Sequence, residues 1–171
     1  MEQQHHHRRY DLPFTWPSPP LAIVLVEPEI PQNTGNIARL CAATGSVLHL
    51  VGPLGFQVHE RAVKRAGLDY WEAVEMYRHV NFAAYLAAQP PAGMYLFSTR
   101  GERSFFDVDY HPGDALVFGC ETRGLPDELL DAYPECVVQI PMQTEKVRSL
   151  NLANSASIAV YEALRQISYQ A

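Results

Sequence analysis

The chain has 171 residues, 47% of them hydrophobic, which is enough for one domain with a full core. Its formal net charge of −6 argues against a protein that grips nucleic acid through overall positive charge, because phosphate neutralisation needs clustered Lys and Arg. No apolar run approaches the length of a membrane span, and the N-terminus lacks the apolar stretch of a signal peptide, so a soluble, cytoplasmic protein is expected. Cys41, Cys120 and Cys136 are odd in number and lack metal-ligand spacing. That argues against a disulfide framework and a zinc site, and no metal is assigned.

Residues 1 to 20 combine Gln, His, Arg and Pro in a composition that cannot contribute a packed core, and they read as a flexible or draped extension ahead of a single domain at 21–171. The consecutive histidines there receive no metal role. Leu21 to Val26 is a continuous apolar run of strand length, as expected for a strand covered on both faces of a parallel sheet. A helix from about Thr34 to Thr44 follows, ended by Gly45, and Val47 to Val51 forms a second strand stopped by Gly52-Pro53. A short basic helix is expected at 60–66, a short strand at Val74 to Tyr77 and a helix at Phe82 to Ala88. Further strands are expected at Met94 to Ser98, Ala115 to Phe118 and Val137 to Ile140, with a helix at Pro126 to Asp131. From Leu152 to Ser168 the apolar residues recur at helical spacing. The pattern implies an α/β sandwich around a mainly parallel sheet.

In such sheets ligands bind beyond the carboxyl ends of the strands, and three polar loops fall there. The first runs from Glu27 to Arg39 and opens a helix, which would turn Asn36 and Arg39 to one side. A cap at Asn33 or Thr34 with Arg39 snorkelling would also explain it. The second, Phe118 to Pro126, has Glu121 and Arg123 between glycines. Glycine there permits positive φ or close approach of backbone, although a plain turn would use it equally well. The third carries Ser149, Asn151, Asn154, Ser155 and Ser157 around the start of the last helix, more polar groups than a cap needs. No dinucleotide fingerprint, P-loop, nucleophile elbow or convincing carboxylate pair is present, and each histidine reads as structural. Local basic groups remain at Arg61, Lys64 and Arg65, at Arg100 and Arg103, at Arg123, and at Lys146 with Arg148.

Together the loops resemble the signature motifs of the SPOUT-class RNA methyltransferases. Asn33-Thr34-Gly35-Asn36-Ile37-Ala38-Arg39 is similar to motif one and Phe118 through Pro126 to motif two. Ile140-Pro141-Met142 through Ser149-Leu150-Asn151 to Asn154 is similar to motif three. The likeness runs from about Leu21 to Gln166, and among these enzymes it is nearest to those acting on the tRNA wobble ribose, which share Glu-Pro-Glu-Ile-Pro and a segment like Arg65 to Tyr70. The resemblance implies a C-terminal trefoil knot, a homodimer with its active site at the interface, and S-adenosylmethionine (SAM) as cofactor. It implies a cofactor shell of Phe97, Gly119, Ile140, Ser149 and Leu150, and a catalytic set of Asn33, Arg39, Glu121, Ser149 and Asn151. The implied reaction is methylation of the ribose 2′-hydroxyl of nucleotide 34 in the tRNA anticodon loop.

Arg39 is the family's usual candidate for activating that hydroxyl. A guanidinium stays protonated, however, so holding an RNA phosphate and orienting the hydroxyl fits it better. Within the third loop Ser149 and Asn151 are expected to face cofactor and substrate, leaving Asn154, Ser155 and Ser157 to cap or pack the helix. The chain departs from the pattern at Cys120, where Pro is common, in a loop before Arg148 one residue longer, and in its N-terminal extension. Methylation of another tRNA or rRNA ribose, or a catalytically silent RNA-binding scaffold, are the alternatives.

Overall fold

The computed structural model describes residues 12–56, 73–143 and 146–170. Among these residues seven strands form one parallel sheet: β1 (Ala22–Val26), β2 (Val47–Val51), β3 (Met76–His79), β4 (Met94–Phe97), β5 (Arg103–Ser104), β6 (Ala115–Phe118) and β7 (Val137–Gln139). Their order across the sheet is β3-β2-β1-β6-β4-β7-β5. Four α-helices accompany them: α1 (Pro31–Thr44), α2 (Phe82–Ala88), α3 (Asp127–Ala132) and α4 (Leu152–Gln170).

The apolar runs of β1, β2 and β6 fill the middle of this sheet because both of its faces are covered. Ile23, Leu25, Leu48, Leu50, Leu116 and Phe118 pack with α1 and α4. Val24, Val26, Val51 and Val117 turn the other way, toward Tyr85 of α2 and Leu130 of α3. Burying each such aliphatic side chain contributes roughly 1.5–3 kcal/mol, so the two-sided core is the main source of stability. Cys41 belongs to it, and burial pushes its thiol up to about 12; all three cysteines are free, and Cys120 is buried as well.

Pro31 stands at the first turn of α1, where its missing N–H costs nothing, and Gly45 ends the helix at φ 69° in the left-handed region. The helix thus begins three residues before the expected start. The third strand lies at Met76–His79 rather than 74–77, because the Leu48 amide donates to the Glu75 carbonyl and sets the register from there. The expected helix at 60–66 and the Arg65 to Tyr70 segment lie outside the described residues.

Two-residue β5 has no periodic signature in the sequence, yet it completes the sheet edge. Phe97 and Arg103 both stand level with Val138, on opposite sides of β7. The loop 98–102 must therefore cross a face of β7 instead of passing its end. Gly101 makes that crossing possible: a Cβ there would lie 2.7 Å from the Val138 carbonyl carbon. The Ser98 amide donates to the Val138 carbonyl at 3.0 Å and fastens the strap. On the far side, the Tyr110 amide donates to Gln166 Oε1 at 3.1 Å and the Thr15 amide to Ser168 Oγ at 3.3 Å, both holding α4.

Candidate active site

The three polar loops meet at the carboxyl ends of β1, β4, β6 and β7. The first two grip each other reciprocally. The Glu121 carboxylate accepts from the Glu29 amide at 2.8 Å and the Ile30 amide at 3.1 Å. Glu29 returns the contact, accepting from Thr122 Oγ1 at 2.8 Å and the Thr122 amide at 3.3 Å. Ile30 is the N-cap residue of α1 and offers no side-chain cap, so Glu121 supplies the missing acceptor and an anion at the positive end of the helix.

A relay of amides extends the grip to the third loop. Asn33 Nδ2 donates to Glu121 Oε1 at 3.1 Å, and Asn151 Nδ2 donates to Asn33 Oδ1 at 3.0 Å. The Asn151 Oδ1 then accepts from the Ala153 amide at 2.9 Å and the Asn154 amide at 3.2 Å. Asn151 is thus the cap of α4, so of the two roles expected for Asn154, Ser155 and Ser157, capping or packing the helix, the capping one falls to Asn151 instead. The Ser157 hydroxyl instead donates back to the Ala153 carbonyl, and Ser155 joins the cavity wall. Asn33 does not cap α1; it is buried and spends both ends of its amide on the neighbouring loops.

The loops enclose an open cavity of about 760 Å³. Phe97, Gly119, Ile140, Ser149 and Leu150, the expected cofactor shell, all line it, as do Asn33, Glu121 and Asn151. Gly119 is obligatory, since a Cβ there would fall 2.0 Å from the Gly124 carbonyl carbon where loop two folds back on itself. Arg39 is the exception: it sits beside Asn36 on the exposed face of α1, outside the cavity wall. Sequence reasoning did not single out Ser98 and Thr99 of the β7 strap, although they line the cavity, nor the Glu29–Thr122 contact. The Arg100-Gly101 pair, which begins three residues beyond the end of β4, was the available signal for the strap.

No histidine among the described residues lines the cavity. His49 is buried in β2 with Nδ1 3.0 Å from His79 Nε2, and its ring packs against Tyr77 and Tyr85. Burial, reinforced by His79, lowers its pKa to about 4. These residues hold the β2–β3 edge, away from the loops.

The chemistry of the wall suits a flat heteroaromatic group with a charged tail. Phe97, Ile140, Leu150 and Leu125 are apolar, while Ser98, Thr99, Gln139 and Ser149 supply neutral donors and acceptors. Residues 20–161 match the SpoU rRNA Methylase family. A tRNA (cytidine(34)-2'-O)-methyltransferase of Burkholderia pseudomallei strain 1106a is 50% identical over 151 residues, spanning 86% of this chain and 96% of that protein. The Escherichia coli K12 enzyme of the same name is 49% identical, covering 87% of this chain and 95% of its own. Among solved structures, one concerned with the 2-OH methylation of C/U34 on tRNA has a TM-score of 0.79 at 50% identity, covering 85% of this chain and 95% of that one. The SpoU methyltransferase AviRb of Streptomyces viridochromogenes, in complex with the cofactor AdoMet, has a TM-score of 0.69 at 28% identity, covering 85% of this chain and 59% of that one. With its parallel sheet, its three interlocked loops and this likeness over most of its length, the chain belongs to the SpoU rRNA Methylase family.

Proposed function

We propose that the protein is a SAM-dependent methyltransferase acting on the ribose 2′-hydroxyl of nucleotide 34, cytidine or modified uridine, in the anticodon loop of tRNA. The observation that carries this reading is the amide relay from Glu121 through Asn33 to Asn151, which fixes three loops around a cavity of cofactor size. The half-identical relatives carrying that activity support the substrate.

SAM, when bound, supplies a methyl group already activated by its sulfonium. Phe97, Ile140 and Leu150 would bury its ring, and Ser149 and the backbone around Gly119 would take its polar groups. The protein then has to orient the ribose hydroxyl in line with the methyl and exclude water. Ser149 and Asn151 stand at the start of α4 facing the cavity and are placed to hold the ribose. Glu121 has its carboxylate occupied by three N–H donors, so it acts as the clamp of the first two loops and does not collect the hydroxyl proton. Arg39 holds the substrate phosphate, and a phosphate oxygen takes the proton.

Because Arg39 lies outside the cavity of its own chain, the reading includes a homodimer in which α1 of one protomer brings Arg39 to the site of its partner. It includes the trefoil knot, with the chain beyond β7 passing under the strap 98–102. It also takes 21–171 as one cytoplasmic methyltransferase domain behind a 20-residue extension. The test is transfer of labelled methyl from SAM to unmodified tRNA, followed by mapping of the ribose methylation. Methylation confined to nucleotide 34 is expected. Transfer to ribosomal RNA alone, the substrate in the family's description, would refute the tRNA reading and leave the reaction class intact.

A further inference from the structure

Three arginines line the cavity rim, Arg100, Arg123 and Arg148, in a chain with 13 basic and 19 acidic side chains. Two of them are already engaged by acids. Arg100, on the strap over β7, donates to the carboxylate of Asp127 at the start of α3. Arg123, in the second loop, lies 3.5 Å from Glu27 Oε2. No acid among the described residues forms such a pair with Arg148. Both pairs are exposed, with Asp127 76% and Arg123 73% open to solvent, and pairs of this kind add little to stability.

The placement of Glu27 nevertheless costs the chain something. It has a φ of 51°, in the left-handed region that side chains other than Asn and Asp rarely occupy. Its stem lies so close to Gly52 that a Cβ there would come within 3.0 Å of Glu27 Cγ. Backbone strain and a glycine together direct this carboxylate along the rim toward Arg123.

We propose that Asp127 and Glu27 are specificity-determining counter-ions, which occupy Arg100 and Arg123 until phosphates of a correctly seated RNA replace them. The proposal rests on the RNA reading above. A carboxylate and a phosphate oxygen offer a guanidinium equivalent acceptors, so a seated RNA exchanges one charge-assisted hydrogen bond for another. An RNA that approaches in the wrong pose meets arginines already neutralised by the protein. It gains little from them, because non-specific affinity follows the number of phosphates newly paired. The acidic total charge then serves discrimination: the rim becomes basic only toward a ligand that reaches both arginines.

The experiment compares the full-length parent with D127N, E27Q and the double variant, each checked for folding by its melting transition. Binding of unmodified tRNA and of an oligocytidylate is measured across a salt series with S-adenosylhomocysteine present. Oligocytidylate affinity is expected to rise about tenfold in the double variant, tRNA affinity to rise less, and the salt slope for oligocytidylate to steepen by about 1 to 2. Unchanged or weaker oligocytidylate binding overturns the proposal, as does a change confined to S-adenosylhomocysteine affinity, which would give Arg100 to the cofactor. A parent that methylates tRNA while its variants bind oligocytidylate unchanged fails this proposal alone. A parent that methylates no tRNA fails the underlying function.

Discussion

Asn151 holds two jobs that substitutions can separate. Its Oδ1 caps α4 and its Nδ2 feeds the relay through Asn33 to Glu121. Asn151→Ala loses both, with a stability cost of about 1 kcal/mol for the cap and a fall in methyl transfer of at least 100-fold. Asn151→Asp keeps the acceptor and loses the donor, so its melting temperature is expected to stay near the parent value while turnover falls as far as in the alanine variant. Equal turnover in Asn151→Asp and the parent would remove the relay from the mechanism. His49 makes a stability claim of a different kind. Its folded pKa, lowered to about 4, lies below the 6.5 of the unfolded chain, so only the unfolded state takes up a proton in between. Stability is complete above pH 6.5, falls as the pH drops from 6.5 to 4 by on the order of 2 kcal/mol, and levels off below. Denaturant titrations across that window check it, and His49→Gln is expected to flatten the curve.

Elements with a continuous apolar run or a helical period were legible in the sequence. β1, β2, β6 and α2 fall where their residues place them, since Leu21 to Val26 has few other ways to bury itself. β5 was not legible, because two residues carry no period, and its existence depends on a loop crossing a strand that comes much later in the chain. Gly101 is the residue that records this crossing. Gly101→Ala is expected to cost roughly 2–3 kcal/mol, read as a lower melting temperature and weaker SAM binding, because the added methyl meets backbone that cannot move aside. In the loops, motif residues were recognisable by type, whereas their partnerships were not. Nothing in the spacing of Asn33 and Asn151 shows that one amide donates to the other across 118 residues.

At the scale of the whole molecule, the position of Arg39 is what the proposed homodimer has to explain. It lies outside the cavity wall of its own chain, so a complete site needs a second copy in the proposed arrangement. Arg39→Ala is expected to lose turnover by at least 100-fold while binding SAM normally. Mixing it with Asn151→Asp subunits is expected to restore activity, because every such mixed dimer carries one site with both residues intact. Failure to complement, with mixed dimers demonstrated, would confine Arg39 to its own subunit.

The strap over β7 also dictates when the molecule can work. Synthesis delivers β4, the loop 98–102 and β5 early, yet β5 pairs only with β7, which emerges after β6 and α3. Until then Ser98, Thr99 and Arg100 have no strand to lie across, and the cavity lacks one wall. A nascent or truncated chain ending before Val137 therefore keeps the paired strands β3-β2-β1-β6-β4 but lacks the cavity wall from Gln139 onward. Ligand affinity arrives abruptly with the last fifth of the sequence and does not build up gradually along it.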